Sequence, residues 1–340
     1  MLSTAQIRAI SAASAKSLGA AQISALDELQ VAALSTGAIG ALATAALRGL
    51  STGQIAALTD GQMAQLTSAQ IAAFGTAQIA AIEPADLARI MATSLAGMGS
   101  AQLASLDETQ TGALTTAQVG KLTAAAIIGL TANQVAVLST AQVRAISSTA
   151  LHALASAQVE AMSPAQVAAI STTAVASLAV AAFMGLSAED IAALTTGQAA
   201  RLTAAQMAAL TVTQVRAVEP EDFARVTAAA IVGLGTAQIA QLDPDQIGAV
   251  TALQAASLTT GQIHALTVPS VVALTTAAIR ALRAPQMGGW TSDQIEAFTT
   301  GQVAVLSTTN IRALTATQVQ AFTEIQLASM STSQILALSL

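Results

Sequence analysis

Residues 49–66 read GLSTGQIAALTDGQMAQL, in which Leu recurs at every eighth position and Gln stands four residues after Leu50 and Leu58. Stepping by eight from Leu2 to Leu338 reaches a Leu, Ile, Met, Val, Phe or Trp each time, with no insertion or deletion. A second apolar residue, usually Ile or Val, follows five positions later, as at Ile55. The unit is L-[ST]-x-[AG]-Q-[IV]-x-A, and this internal repeat must govern the fold.

An eight-residue period excludes two regular conformations. In one continuous α-helix, eight residues advance by about 800°, so the apolar stripe would wind around the helix. A strand would place Leu and Ile on opposite faces, and Ala and Gln are weak strand formers. The remaining conformation is one very short helix per octad with a break between octads.

Signals at the helix ends support this interpretation. Ser51 with Gln54, and Thr115 with Gln118, have the three-residue spacing of a capping box, which recurs in most octads. Four prolines fall one position after the cap, where a missing N–H costs nothing. They are Pro84, Pro164, Pro220 and Pro244. Acidic residues gather in the predicted first turns and basic residues in the last, as the helix dipole favours.

Helices this short must stack on one another. We expect about seven residues per helix, which is too few for an isolated helix to form, with a one-residue joint between helices. Ile7 and Ile10, three apart, would share a buried face. The predicted fold class is therefore all-α, a solenoid or superhelix of very short helices, one per octapeptide repeat.

A longer repeat lies above the octad. AIEPADLARI at 81–90 returns seventeen octads later as AVEPEDFARV at 217–226. We predict a single array over 1–340 that contains an internal duplication, with about 33–113 matching 169–249. Asp86 and Arg89, repeated as Asp222 and Arg225, are predicted to form an ion pair across three positions of a helix.

Two irregularities leave alternatives open. A Gly precedes the Leu-type position in six octads, and five of these six lack the usual Gln; either successive turns touch there or the array has drifted. The glycines are Gly49, Gly97, Gly129, Gly185, Gly233 and Gly289. The octad at 283–290, RAPQMGGW, lacks a polar cap and carries the only Trp. It could be a kink or a contact site, and a variant of core packing is favoured.

Composition excludes several classes of protein. The 340 residues include no Cys, two His and 9% charged residues, with a net charge of −6. Disulfides and Cys-ligated zinc are therefore excluded, and the scattered basic residues argue against a nucleic-acid partner. No transmembrane segment is expected because polar residues recur every few positions. The start, MLSTAQIRAI, shows no signal peptide.

The candidate chemistry is sparse. His152 and His264 share an exposed octad position and are interpreted as solvated. An acidic group could suggest Ca²⁺, but no calcium-loop motif is present, and first-turn charges explain it better. That group is Glu219, Glu221 and Asp222, with Asp243 and Asp245 three octads later. No triad, phosphate loop or dinucleotide motif occurs, so we predict no catalytic, cofactor-binding or metal-binding residue, no cofactor and no enzyme activity.

The unit [ST]-x-A-Q-[IV]-x-A-L resembles the octapeptide-repeat regions of large, mostly uncharacterised bacterial secreted or surface proteins. The resemblance covers the whole chain. It implies a structural, spacer or adhesive role, and an extracellular or cell-surface location, and it supplies no catalytic residue.

The sequence therefore predicts a structural repeat protein, a self-assembling scaffold, fibre or spacer. Its expected partner is itself, in a head-to-tail or lateral homo-oligomer or filament, because Leu2 and Leu340 lie within unbroken octad register and no polar capping repeat is visible. The alternative is a binding solenoid that presents a concave surface to a protein, peptide or glycan.

Overall fold

The chain is all-α in the part that the structure, a computed structural model, describes, residues 2–338. This range holds 41 α-helices and one 3₁₀ helix, each of four to six residues, and no strand. One helix falls in each octad, which confirms the predicted short-helix solenoid. No helix in the described range is long and apolar enough to cross a membrane.

The helices divide between two compact units, residues 1–185 and 186–340. The division lies inside the second copy of the predicted duplication (169–249), which stays a prediction. The helices of the first unit are α1 Thr4–Arg8, α2 Ala12–Ala15, α3 Ala20–Ser24, α4 Glu28–Ala33, α5 Thr36–Ala41, α6 Thr44–Leu47, α7 Thr52–Ala56, α8 Asp60–Met63, α9 Ser68–Ala73, α10 Thr76–Ala80, α11 Pro84–Leu87, α12 Ala92–Leu95, α13 Ser100–Ala104, α14 Glu108–Ala113, α15 Thr116–Val119, α16 Ala124–Ile127, α17 Ala132–Ala136, α18 Thr140–Ala145, α19 Ser148–His152, α20 Ser156–Glu160, α21 Pro164–Ala169, α22 Thr172–Val175 and α23 Val180–Phe183.

The second unit has the same construction and includes the 3₁₀ helix, η1. Its helices are α24 Ala188–Ala192, α25 Thr196–Ala199, α26 Ala204–Ala209, α27 Val212–Arg216, α28 Pro220–Phe223, α29 Ala228–Ile231, α30 Thr236–Ile239, α31 Pro244–Gly248, α32 Ala252–Ala255, α33 Thr260–His264, α34 Val268–Ala273, α35 Thr276–Ala281, η1 Ala284–Gly289, α36 Ser292–Glu296, α37 Thr300–Ala304, α38 Thr308–Arg312, α39 Ala316–Gln320, α40 Glu324–Ala328 and α41 Thr332–Ala337.

The helix starts follow the predicted capping boxes. At α7 the N-cap Ser51 is extended, its Oγ accepts from the backbone N–H of Gln54 at 3.2 Å, and Gln54 Oε1 accepts from the Ser51 N–H at 2.7 Å. Two of the four N–H groups that a helix start leaves unpaired are satisfied in this way. The four prolines singled out above each begin a helix, in α11, α21, α28 and α31.

The helices are shorter than the expected seven residues, and the predicted one-residue joint is wrong. Between α4 and α5, Leu34 (φ −56°, ψ 138°) and the N-cap Ser35 (φ −64°, ψ 150°) are both extended. The joint between helices therefore contains the Leu-type residue as well as the N-cap residue. No residue from 2 to 338 has a positive φ, so the chain reverses without the left-handed conformation that helix ends often use.

Each helix packs on the third helix before it and the third after it in the same unit. For example, α15 contacts α12 and α18. A turn of the solenoid therefore takes about three helices, one from each of three octads, and this number was not predicted from the sequence. The Ile/Val and Leu positions of each octad line the interior: Ile55 is 0% and Leu58 3% exposed. These two positions form the apolar core of each unit.

Candidate functional site

The octad glutamines do more than cap helices. Gln134 in α17 is 2% exposed, and its Oε1 accepts from the backbone N–H of Thr131 at 2.7 Å. Its Nε2 donates to the carbonyl oxygens of Leu103 (2.8 Å) and Leu106 (2.6 Å), at the end of α13. One amide thus caps its own helix and also pairs two C-terminal carbonyls of the fourth helix before it. Both groups would otherwise be buried without a partner.

This arrangement recurs in both units and is here called the glutamine ladder. Its acceptors lie 28 and 31 residues earlier, as with Gln254, which donates to Phe223 (2.8 Å) and Val226 (2.6 Å). The octad spacing predicts the bond that caps the helix, and it carries no signal for the bonds that join turns. Side chains that make both bonds include those of Gln54, Gln62, Gln70, Gln78, Gln102, Gln118, Gln134, Gln158, Gln166, Gln238, Gln246, Gln254, Gln262, Gln286, Gln294, Gln302, Gln318, Gln326 and Gln334.

The marker glycines lie where successive turns touch. A Cβ on Gly49 would lie 2.5 Å from the carbonyl oxygen of Ala20, and one on Gly289 would lie 2.6 Å from that of Thr260. The other four marker glycines meet the backbone of the preceding turn in the same way. Of the two open alternatives, the contact between turns is therefore confirmed, because only Gly leaves room for this approach.

The irregular octad at 283–290 is a packing variant, as favoured. It forms the 3₁₀ helix η1, and Gln286 keeps both ladder bonds, to Ala255 (2.8 Å) and Leu258 (2.7 Å). Trp290 takes the Leu position, is 3% exposed, and packs edge-on to Phe298 with ring centroids 4.9 Å apart. This octad therefore contributes to the core of the second unit.

The two histidines lie on the surface, as expected. His152 is exposed in the first unit, and its Nδ1 lies 2.6 Å from the carbonyl oxygen of Ser177, to which it donates a hydrogen bond. His264 is exposed in the second unit. Within residues 2–338 no three His, Asp or Glu side chains form a group that could hold a metal ion.

The predicted ion pair between Asp86 and Arg89 is wrong. Arg89 Nε instead lies 3.2 Å from Asp60 Oδ2, on the surface of the first unit. Since α11 ends at Leu87, Arg89 lies beyond the helix, and its guanidinium pairs with Asp60 of the preceding turn. Burial, a hydrogen bond to Asp60 and that residue's negative charge together raise the pKa of Asp86 from 3.8 to about 6. No ion pair joins the corresponding Asp222 and Arg225 in the described range.

Asp222 stands at the glutamine position of α28 and opens a gap in the ladder. By the register of the ladder, a glutamine there would donate to the carbonyl oxygens of Leu194 and Ile191. Asp222 is 5% exposed, and in the described part of the chain its carboxylate makes no hydrogen bond or ion pair. A cavity of about 570 Å³ lies beside it, lined by Ala192, Leu194, Glu219, Pro220, Glu221 and Asp222.

A second cavity of about 390 Å³ shares three lining residues with the first, so the two adjoin. It is lined by Ala192, Arg216, Ala217, Val218, Glu219, Pro220, Asp243 and Asp245. The acidic group Glu219, Glu221, Asp222, Asp243 and Asp245, for which the sequence predicts first-turn charges, thus lines these two adjoining cavities. Burial, followed by the charges of Glu219 and Glu221, raises the pKa of Asp222.

Comparison with solved structures adds no argument about the fold. The leucine-rich repeat-containing protein LegL7 from Legionella pneumophila is 10% identical over 76% of this chain and 86% of its own, with a TM-score of 0.16. Similarity this low shows no common architecture. No curated protein matches the sequence.

The repeat itself is recognised in five segments of the chain. The family model of the ALTTAQ repeat matches residues 31–68, 79–116, 140–172, 215–252 and 270–308. Together these segments cover more than half of the sequence, and the octad pattern that they follow is the one that places the caps and the ladder glutamines. The chain belongs to the ALTTAQ repeat family.

Proposed function

We propose that the chain is a structural repeat protein without catalytic activity, a scaffold or spacer that associates with further copies of itself. The observation that carries this proposal is that the first and last turns expose complementary halves of the surface that interior turns bury. Helix packing of this kind can continue from copy to copy, because each turn needs only an equivalent turn beside it.

The first turn exposes the glutamine side of its helices; we call this surface the leading face. Gln6 and Gln22 are exposed, whereas Gln30, in the next turn, is 5% exposed and donates to the carbonyl oxygen of Leu2 at 2.6 Å. The apolar part of this face borders a cavity of about 420 Å³ that Leu2 and Leu18 help to line. The leading face therefore offers amide donors and an apolar surface.

The last described turn exposes the opposite side of its helices; we call this surface the trailing face, formed by Val319, Leu327 and Ile335. Ile335 is 43% exposed, although interior residues at this octad position, such as Ile295, are 0% exposed. The backbone carbonyl oxygens of the Ile/Val and Leu positions accept hydrogen bonds from ladder glutamines in interior turns, and the last turn has carbonyl oxygens at the same positions. The trailing face therefore offers acceptors and apolar side chains to the leading face of an equivalent turn, whether of the same array or of a second copy.

Light scattering and negative-stain electron microscopy of the purified 340-residue chain test this proposal. We expect the mass to rise with concentration above the 33.7 kDa of one chain, and filaments or rings to form, since a head-to-tail contact either closes or propagates. A particle that stays at the mass of one chain at all concentrations would contradict self-association.

Point variants identify the surface. Gln22→Glu keeps the oxygen that accepts from the Gly19 N–H at 2.8 Å but removes the amide donor, and Ile335→Asp charges the trailing face. Both should reduce association. Gln241→Glu makes the same charge change at an exposed site within the second unit and should leave association unchanged. Equal association of all three variants would rule out the end faces.

The alternative, a binding solenoid for a protein, peptide or glycan, is favoured by one observation. The second unit has an acidic pair of cavities with an unpaired carboxylate, and a purely structural stack has no need of it.

A further inference from the structure

The gap at Asp222 presents hydrogen-bond acceptors without a donor. Elsewhere in the second unit the same position holds a glutamine amide, as Gln246 does when it donates to Val215 (2.9 Å) and Val218 (2.7 Å). Asp222 replaces that donor with a shorter, negatively charged acceptor. The carbonyl oxygen of Leu194, which would receive the amide, accepts no hydrogen bond in the described part of the chain, and Leu194 lines the cavity.

The charge around this gap is strongly negative. Five carboxylates and the guanidinium of Arg216 line the two adjoining cavities, and Arg225 lines a further cavity together with Glu221. Glu219, at the N-cap of α28, borders both cavities. Asp243 and Asp245, at the start of α31, border the second. A ligand for this space must carry positive charge and several N–H donors, because buried acceptors and carboxylates are costly without them.

We propose that these two cavities bind a small organic dication with two ammonium groups, one taking the place of the missing glutamine amide between Asp222 and Leu194, and the other pairing with Asp243 and Asp245. An ammonium group supplies three donors and a charge, which suits a site made of carboxylates and a carbonyl oxygen. A metal ion suits it less, because no three carboxylates in the described range are grouped tightly enough to coordinate one.

The corresponding position in the first unit differs in the feature that the proposal needs. Asp86 also replaces a glutamine, but its carboxyl bonds to Asp60, and Arg89 approaches that pair. The matching residue in the second unit is Thr196, which lacks a carboxylate. Asp222 is therefore left with an unpaired charge, and the first unit serves as an internal comparison.

Titration calorimetry of the full chain with 1,4-diaminobutane tests this proposal. We expect saturable binding with one ligand per chain, weakened about tenfold or more in Asp222→Asn, which corresponds to the loss of one charge-assisted hydrogen bond. Butylamine, with a single ammonium group, should bind more weakly. Glu296→Gln, an exposed carboxylate of the same unit that does not line the cavities, should bind as the original chain does.

Asp222→Gln separates binding from folding. The new amide should fill the gap and donate to Leu194, so this variant should unfold at the same or a higher temperature and yet lose the ligand. Retained affinity in Asp222→Gln would overturn the proposal, as would the absence of saturable binding to the original chain. A response to Mg²⁺ equal to that to the diamine would also overturn it, because general charge screening would then explain both. None of these outcomes depends on self-association, which light scattering reports separately.

Discussion

The side-chain amide of Gln118 and the carbonyl oxygen of Ile90 are 2.7 Å apart although 28 residues separate them along the chain. The same amide also donates to Leu87 at 2.8 Å, and its oxygen accepts from the N–H of Thr115 at 2.8 Å. These bonds join the start of one helix to the end of another, one turn away. The short helices have few hydrogen bonds of their own, so each ladder glutamine holds together two helix ends that could not persist alone.

Replacing a ladder glutamine should therefore lower the free energy of unfolding by more than replacing a glutamine that only caps its own helix. Gln118→Ala leaves the buried carbonyls of Leu87 and Ile90 without their donor, and we expect a loss of about 2–4 kcal/mol in the free energy of local unfolding. Hydrogen exchange of the turn around α11 and α15 measures it, because unfolding of a repeat array need not be all-or-none.

Gln6 supplies the matched control for this experiment. It makes the same cap bond, to the N–H of Ser3 at 2.8 Å, but it is exposed in the first turn, where no earlier helix lies within the described residues. Gln6→Ala should cost about 0.5–1 kcal/mol. Equal losses at both positions would show that the inter-turn bonds contribute nothing beyond capping.

The contact between turns at Gly129 predicts that no side chain larger than hydrogen fits at this position. A Cβ there would overlap the backbone of Ser100, so Gly129→Ala should destabilise the first unit by about 1–3 kcal/mol. Gly112 is exposed within α14 and has nothing within 4 Å of a new Cβ. Gly112→Ala should stabilise that helix by about 0.5–1 kcal/mol. Thermal unfolding followed by circular dichroism distinguishes the two, and a shift of the same sign in both would refute the contact.

Contacts within one octad could be predicted from the sequence. Contacts between successive turns of the solenoid could not. The Ser51/Gln54 spacing specifies a helix start because both partners lie within one octad. The partners of Gln54 Nε2, Ile23 and Leu26, depend on how many helices make a turn. That number follows from the backbone angles of the two extended joint residues, and small changes in those angles add up over three joints.

The same limit explains the errors at charged residues. A spacing of three predicts a pair between Asp86 and Arg89 within one helix, but α11 ends at Leu87, before Arg89. Its real partner, Asp60, begins α8, one turn earlier, and is adjacent only in the folded array. The helix positions of the acidic group around Asp222 likewise predict only first-turn charges. The cavity there depends on the missing donor to Leu194, which lies on another turn.

The raised pKa of Asp86 predicts a pH-dependent stability of the first unit. In the unfolded chain this carboxyl titrates near 3.8, and in the folded chain near 6. The folded state binds the proton more tightly, so the contribution of this carboxyl to stability should be greatest below about pH 4 and should fall as pH rises from about 4 to about 6. Asp86→Asn should flatten this part of the profile and raise the unfolding temperature at pH 7. Glu160→Gln, an exposed carboxylate of the same unit, should keep the original profile; a flat profile in the original chain would contradict the assignment.

Two further replacements at the glutamine position form a reciprocal pair. In α24, Asp190 is 2% exposed; its Oδ2 accepts from the N–H (2.8 Å) and Oγ (2.7 Å) of Ser187, but its Oδ1 is buried without a hydrogen-bond partner. In α38, Asn310 is also 2% exposed, and its Nδ2 donates to the carbonyl oxygen of Leu282 at 2.9 Å. The two side chains have the same shape and differ in charge and in the donor.

Asp190→Asn removes a buried, partly unpaired charge and should stabilise the second unit by about 1 kcal/mol or more. Asn310→Asp places a carboxylate oxygen against the Leu282 carbonyl and should cost about 2 kcal/mol or more. Hydrogen exchange at α24 and α38 reports each change locally, and opposite signs are the result required. Destabilisation by both variants would mean that the charge of Asp190 serves the fold, and that an amide at this octad position is not what the array needs there.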